Sequence, residues 1–400
     1  MTNHAFLVSG FRTPVGRYGG ALSSVRPDDL IAATIKKTVD SAGIDPALVD
    51  EVIIGNANGA GEENRNVARM AWLLAGFPDT VPGLTVNRLC ASGMSSIALA
   101  TALVESGQAE IVVAGGVESM SRAPWVMAKP TTAFARPGEV YDTSIGWRFP
   151  NPAFLAQDKA TYSMPETAEE VARVFGISRS EADAFALRSH QRAVAAIDAG
   201  KFAREIVPIE VTGRKGAVTV VDTDEGPRRD TSSEALAALR PVTSLGDVTT
   251  AGNASALNDG ASCVIVASEA AVAKHRLVAR ARVVANSARG VSPEIMGTGP
   301  IPATRQVLER AGWELDSVDA IELNEAFASQ SLACIRELGF DENRVNAWGG
   351  AIALGHPLGS SGSRLVLTLL SRLEDADASR GIATMCVGVG EGTAIAIERV

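Results

Sequence analysis

Four hundred residues with 46% hydrophobic and 21% charged side chains describe a globular chain long enough for two lobes or one double-length fold. A formal net charge of -9 disfavours nonspecific nucleic-acid binding, so any phosphate recognition has to be local. The N-terminus lacks a basic start followed by an apolar stretch, and no apolar run reaches the roughly 18 residues of a membrane span; a cytoplasmic protein with neither nucleic-acid nor membrane partners is expected. Cys90, Cys263, Cys334 and Cys386 are scattered with no CxxC, which fits reduced thiols and argues against a disulfide framework or a metal site.

In chain order, the segments alternate between short apolar strands and helical stretches, and the two ends resemble each other. "LVDEVIIGNANGAG" (48–61) pairs with "SVDAIELNEAFASQ" (317–330), each running from a Val-Asp turn into a strand and a small polar loop. "VNRLCASGMSSIALATALVESG" (86–107) pairs with "VNAWGGAIALGHPLGSSGSRLVLTLLSRL" (345–373), and "AEIVVAGGVESMS" (109–121) with "GIATMCVGVGEG" (381–392). Matching Asp50 to Asp319 and Ser92 to Ser361 gives one offset, 319 less 50 and 361 less 92 both being 269. Alternating strands and helices predict an α/β fold of two duplicated halves, with active residues on loops that follow strands. The stretch 122–248 differs in composition and reads as an inserted cap, with Val171, Val174, Phe175, Phe185 and Leu187 as the residues its helices bury. The expected division is 1–121 with 249–270, 122–248, and 271–400.

Cys90 precedes Ser92, Gly93 and Ser95, which suit a helix start; Met94, Ile97, Leu99 and Val104 supply an apolar surface and Gly107 a stop. A thiol at a helix N-terminus feels the positive end of the dipole, so a pKa below the ordinary value of about 8.5 is expected; the bland alternative is a small buried hydrophobe. His356 in a glycine-rich loop ahead of a helix reads as a base. Cys386 ends an apolar strand and is followed by Gly388, Gly390 and Gly392, whose N–H groups can face an oxyanion. That spacing lacks the G-x-G-x-x-G and downstream acid of a dinucleotide site. Asn324 and Glu325 follow a strand, as turn formers or as anchors for a site water.

"NRLCASGMSS", "ESMS", "GNASALNDGA", "NEAFA", "GGAIALGHPLGSSG" and "CVGVGEG", in this order over essentially the whole chain, resemble the thiolase family of acyl-CoA C-acyltransferases. The resemblance implies an αβαβα architecture with a loop domain inserted in the first half. It implies Cys90 as nucleophile, His356 as its activating base and Cys386 as the second, acid/base cysteine. It further implies that Asn324 holds a water which, with His356, forms one oxyanion hole, and that the N–H groups of Cys90 and Gly388 form another. Coenzyme A is the implied co-substrate, with no permanently bound cofactor; Arg228 and Thr231 are matched to its nucleotide and Ser255, Ala251 and Met164 to its pantetheine. The implied assembly is a homodimer or homotetramer.

Two departures bear on substrate. Ser163-Met164-Pro165-Glu166 stands where acetyl-CoA-condensing thiolases read His-Met-Gly-Thr, and Glu391 stands where the similar 3-oxoadipyl-CoA thiolases carry Gln. "GEENRNVARMAWLLAG", "GWRF" and "SMPETA" resemble that subgroup, which makes Arg65, Arg69 and Arg148 candidates for binding a substrate carboxylate, each with a structural ion pair or solvated face as its alternative. Acetoacetyl-CoA or fatty-acid thiolase activity is the rival within the family. A 3-oxoacyl synthase is disfavoured by Cys386, and a non-catalytic acyl-CoA or lipid-binding protein by the complete set of Cys90, His356 and Cys386.

Overall fold

The computed structural model describes residues 3–213 and 216–400. Its strands form a ten-stranded sheet whose path, read by segment, runs Gly83–Val86, Glu51–Gly55, Ile111–Ser119, Asn258–Ser268, Ala5–Arg12, then Ala281–Gly290, Glu391–Arg399, Arg380–Val387 and Ala320–Leu323, with Gly16–Arg17 paired to Asn258–Ser268. Parallel pairing is confined to the outer strands, where helical crossovers intervene; the inner strands are antiparallel. The two halves meet where Phe6 lies opposite Arg282 and Leu7 opposite Ala281.

The duplication read from sequence is repeated in the hydrogen bonds. Asp50 Oδ2 accepts from the backbone N–H of Glu110 (2.7 Å) and Ile111 (2.9 Å), and Asp319 Oδ2 accepts from Ser379 (2.9 Å) and Arg380 (2.8 Å). Each of these residues has its counterpart 269 positions on, 379 less 110 and 380 less 111. The carboxylate caps the start of a buried strand in each half, which is why the Val-Asp turn recurs.

Five layers result. Helices Ser92–Glu105 and Leu358–Asp375 are packed between the inner faces of the two half-sheets, around a core that includes Met94, Ile97, Leu365, Leu369, Val266 and Ile397. Pro27–Ala42 and Val67–Leu74 cover the outer face of the first half, and Pro300–Ala311 and Ala328–Leu338 that of the second. The helix Leu358–Asp375 is buried from Gly359 to Leu373, although it carries serines and arginines. Its serines and Arg372 are paired inward, as in Ser363 Oγ to Ser262 Oγ at 2.7 Å and Arg372 to Glu322 at 2.6 Å, whereas the buried guanidinium of Arg364 has no hydrogen-bond partner among the described residues. Glycine permits the central approach: a Cβ on Gly116 would lie 1.9 Å from the carbonyl oxygen of Gly359.

Residues 122–248 leave the body after Ile111–Ser119 and return before Asn258–Ser268. They carry helices Met164–Phe175 and Arg179–Asp198 and two small hairpins. Buried Arg12, on the first strand, pairs with Glu205 (2.7 Å) and Asp224 (2.7 Å) of this segment and ties it down. Val171 and Phe185 are buried and Phe175 and Leu187 half-buried, but Val174 is 48% exposed. The inward face of its helix is set by Thr167, Ala168, Val171 and Ala172, and position 174 falls off the edge of that stripe.

Candidate active site

Cys90 sits in the 3-10 turn Leu89–Ala91, which runs directly into the helix Ser92–Glu105. Ser92 Oγ closes the turn, accepting from the N–H of Arg88 (2.9 Å) and donating to the carbonyl of Leu89 (2.7 Å). Leu89 has φ +45°, in the left-handed region that costs a branched side chain about 1 kcal/mol or more. Of the four cysteines, all free, Cys90 is partly accessible and Cys263, Cys334 and Cys386 are buried.

The expected depression of the Cys90 pKa is not found. Loss of solvation in the enclosed pocket pushes the thiol up to about 11; the N–H groups of Gly388 and of Cys90 itself pull it back, and the charge of Glu118 pushes it further. Partial exposure does not rescue it, because the accessible side faces a mostly apolar cavity rather than bulk water. The resting group is therefore a thiol that needs a base.

His356, the base expected from the sequence, is held in one tautomer. The hydroxyl of Ser361 donates its single proton to the carbonyl of Pro357 (2.9 Å), so at 2.6 Å from His356 Nδ1 it accepts, and Nδ1 carries the hydrogen. Nε2 is left as the lone-pair nitrogen, 3.3 Å from Asn324 Nδ2. Burial, with the charge of Arg364 adding to it, lowers the His356 pKa to about 3, so the imidazole is neutral at physiological pH. The loop is fixed from behind: the His356 N–H donates to Asn258 Oδ1 (2.9 Å), and Asn258 Nδ2 to the carbonyl of Gly16 (2.9 Å). Gly355, at φ +107°, has the Asn258 amide where a Cβ would stand.

Cys386, fully buried at the end of strand Arg380–Val387, packs with Ala168, Met296, Ala326 and Phe327, and burial raises its pKa well above the usual thiol value, with Cys90 as a coupled neighbour. Asn324 is buried behind His356 and off the cavity wall; its Oδ1 has no hydrogen-bond partner among the described residues. Glu325 is a structural pin, accepting from Ser189 Oγ (2.6 Å), Asn346 Nδ2 (2.8 Å) and the N–H of Ile352 (3.2 Å).

One cavity of about 400 Å³ joins these parts, with Cys90, His356, Cys386 and Gly388 on its wall beside Met164 and Ser255. Arg228, Thr231 and Ala251 are not on that wall; the Arg228 N–H instead donates to His190 Nδ1 (3.1 Å). Sequence reasoning missed three supporting residues, Asn258, Ser361 and Glu118. Glu118 Oε2 accepts from the N–H of Ala57 (2.9 Å) and of Gly359 (2.8 Å) and Oε1 from that of Asn58 (3.2 Å), joining a loop of the first half to the start of the central helix. Burial nevertheless moves its pKa up to about 7. The only available signals were its place in "ESMS" and, for Asn258, in "NDGA".

A partly accessible thiol, a neutral histidine, a second, buried thiol and inward N–H donors around one cavity fit an enzyme of covalent acyl transfer. The thiolase N-terminal domain matches residues 5–270 and the thiolase C-terminal domain residues 277–399, and the chain belongs to the thiolase family. It is an acyltransferase of the acetyl-CoA C-acyltransferase type. It is 56% identical over 403 aligned residues to the Beta-ketoadipyl-CoA thiolase of Pseudomonas aeruginosa, covering 100% of both chains. Identity is 52% over 399 residues to the 3-oxoadipyl-CoA/3-oxo-5,6-dehydrosuberyl-CoA thiolase of Escherichia coli K12, covering 99% of each. The crystal structure of human mitochondrial 3-ketoacyl-CoA thiolase in complex with CoA superposes with a TM-score of 0.92 at 39% identity, covering 100% of this chain and 98% of that one.

Proposed function

We propose that the chain cleaves 3-oxoadipyl-CoA with coenzyme A, giving acetyl-CoA and the four-carbon dicarboxylic acyl-CoA. The supporting observation for the chemistry is the convergence of Cys90, His356, Cys386 and Gly388 on one cavity. Support for the substrate comes from the relatives at 52 to 56% identity, whose names both specify acyl chains ending in a carboxylate.

In this reading His356 Nε2 takes the Cys90 proton and the thiolate attacks C3. The N–H groups of Cys90 and Gly388, which face the sulfur, receive the developing oxyanion. The C2–C3 bond then breaks, its electron pair passing into the thioester enolate. His356, now protonated at Nε2, and a water held by Asn324 stabilise the enolate oxygen, and the unpaired Oδ1 of Asn324 supports that assignment. Cys386 donates its proton to C2, and acetyl-CoA leaves. The thiol of CoA loses its proton to the Cys386 thiolate and attacks the acyl-enzyme; the bond to Cys90 breaks, the Cys90 thiolate takes back its proton from His356, and the shortened acyl-CoA departs. Each oxyanion donor contributes about 3 kcal/mol to the lowering of the barrier. Met164 and Ser255 meet the pantetheine with Ala251 nearby, and Arg228 and Thr231, off the cavity wall, meet the nucleotide.

A cytoplasmic homodimer or homotetramer completes the reading. Support for assembly comes from Trp125, Met127, Phe134, Phe149 and Leu155, large apolar side chains left exposed on the inserted segment. The deciding assay measures thiolysis of 3-oxoadipyl-CoA, acetoacetyl-CoA and a long-chain 3-oxoacyl-CoA by purified protein: the highest kcat/KM is expected for 3-oxoadipyl-CoA, and preference for either of the others overturns the substrate while leaving the chemistry.

A further inference from the structure

A carboxylate at the far end of the acyl chain has to be desolvated when the chain enters an apolar cavity, and that requires a cation or several N–H donors at a fixed place. Among the described residues on the cavity wall there is one lysine or arginine, Arg148. The sequence left three candidates open, and the other two lie elsewhere. Arg69 donates to the backbone carbonyls of Val81 and Asp79, and Arg65 is exposed on a turn away from the cavity.

Arg148 is half-buried; among the described residues it makes one hydrogen bond, from Nη2 to Asn58 Oδ1 at 3.2 Å, and has no salt-bridge partner. The Asn58 amide cannot turn away, since its Nδ2 donates to Thr143 at both the carbonyl (3.1 Å) and Oγ1 (2.9 Å). The flanking backbone is held as well: Trp147 packs on Phe154 with ring centroids 5.4 Å apart, and Phe149 on Tyr141 at 5.0 Å. Glu118, the one acid on the wall, has its oxygens committed to the N–H groups of Ala57, Asn58 and Gly359 and does not neutralise the guanidinium. A located arginine with most of its donors free, in the cavity that holds the nucleophile, is built to receive an anion.

We infer that Arg148, positioned by Asn58, binds the terminal carboxylate of a dicarboxylic 3-oxoacyl-CoA and sets the preference for it over neutral chains. This inference rests on the substrate reading above. In 3-oxoadipyl-CoA that carboxylate lies three carbon–carbon bonds beyond the carbonyl that Cys90 attacks, and Cys90 and Arg148 lie on the wall of the same cavity.

The test compares 3-oxoadipyl-CoA with 3-oxohexanoyl-CoA, which has the same six carbons and a methyl group in place of the carboxylate. Arg148→Met is expected to lower kcat/KM for 3-oxoadipyl-CoA by about 10- to 100-fold, chiefly through KM, and to leave 3-oxohexanoyl-CoA within about threefold. Arg148→Lys should restore part of the preference, and supplies the test if the Met variant fails to fold. If a folded variant retains the wild-type ratio between the two substrates, whether or not both rates fall, the role of Arg148 is overturned and the substrate reading stands. A wild-type enzyme with no preference between them overturns the substrate reading itself, and the inference with it.

Discussion

The hydroxyl of Ser361 lies 2.6 Å from Nδ1 of His356 and donates to the carbonyl of Pro357, which fixes the imidazole as the Nδ1–H tautomer. Ser361 touches no reacting atom and acts through the histidine. Ser361→Ala should lower kcat by about 10- to 100-fold with little change in KM, because the base is then free to adopt the wrong tautomer or tilt. Ser361→Thr, which keeps the hydroxyl, should recover much of the rate; no recovery alongside an unchanged melting temperature would argue against a tautomer role.

His356 titrates at about 3 and Cys90 at about 11, so neither group changes charge between pH 5 and 8. Raising the pH through 6.5 leaves an already neutral imidazole neutral. The single-turnover rate of acyl-enzyme formation should therefore show no histidine limb near pH 6.5. Alkylation of Cys90 by iodoacetamide should rise with pH up to about 11 and precede that of Cys263 and Cys334, which are buried and titrate at about 12. Glu118 is the cavity-wall group moved into the neutral range, at about 7, and an inflection there belongs to it.

Cys90→Ala should abolish acyl transfer in a folded protein. Cys386→Ser should still accept an acyl group on Cys90 from a thioester, yet hardly exchange the methyl protons of acetyl-CoA with deuterated water, measured by NMR. Asn324→Ala should lower turnover by about 10²- to 10³-fold with a modest change in KM, since its effect falls on the transition state. Unimpaired proton exchange in the Cys386 variant would remove that cysteine from the acid/base role.

Gly116 is the point of closest approach between a strand of the first half and the central helix of the second. A Cβ there, 1.9 Å from the Gly359 oxygen, has backbone on the other side and nowhere to go. Gly116→Ala should cost about 3 kcal/mol in urea unfolding and take activity with it, because Gly359 begins the helix behind His356. Gly138→Ala, in open space, should stay within about 0.5 kcal/mol of wild type.

Glu391, set by the sequence resemblance against a glutamine, meets Arg88 Nη1 through its Oε1 at 2.9 Å in a pair that is about two-fifths exposed. Pairs so exposed contribute about 0 to 1 kcal/mol. Glu391→Gln should change kcat/KM by less than about threefold in steady-state assays, and a larger effect would make the pair part of the site.

The duplicated α/β halves were legible in the sequence because Val-Asp turns, strand lengths and glycine loops are local features, repeated at the 269-residue offset that Asp50 and Asp319 mark. Cys90, His356 and Cys386, which share one cavity wall, were legible as candidates from residue types at strand ends and helix starts, together with a resemblance carried by several motifs. Only the tertiary structure decided the direction of the Cys90 pKa: a helix start is visible in sequence, whereas desolvation depends on what encloses the thiol, and here burial outweighs the nearby N–H donors. It alone decided the histidine tautomer, since Ser361 could have donated to Nδ1 had its proton not gone to Pro357. The choice of Arg148 over Arg65 and Arg69 had the same origin. All three occur in segments that resemble the 3-oxoadipyl-CoA thiolases, and what separates them is that only Arg148 lies on the cavity wall, with a single hydrogen bond among the described residues.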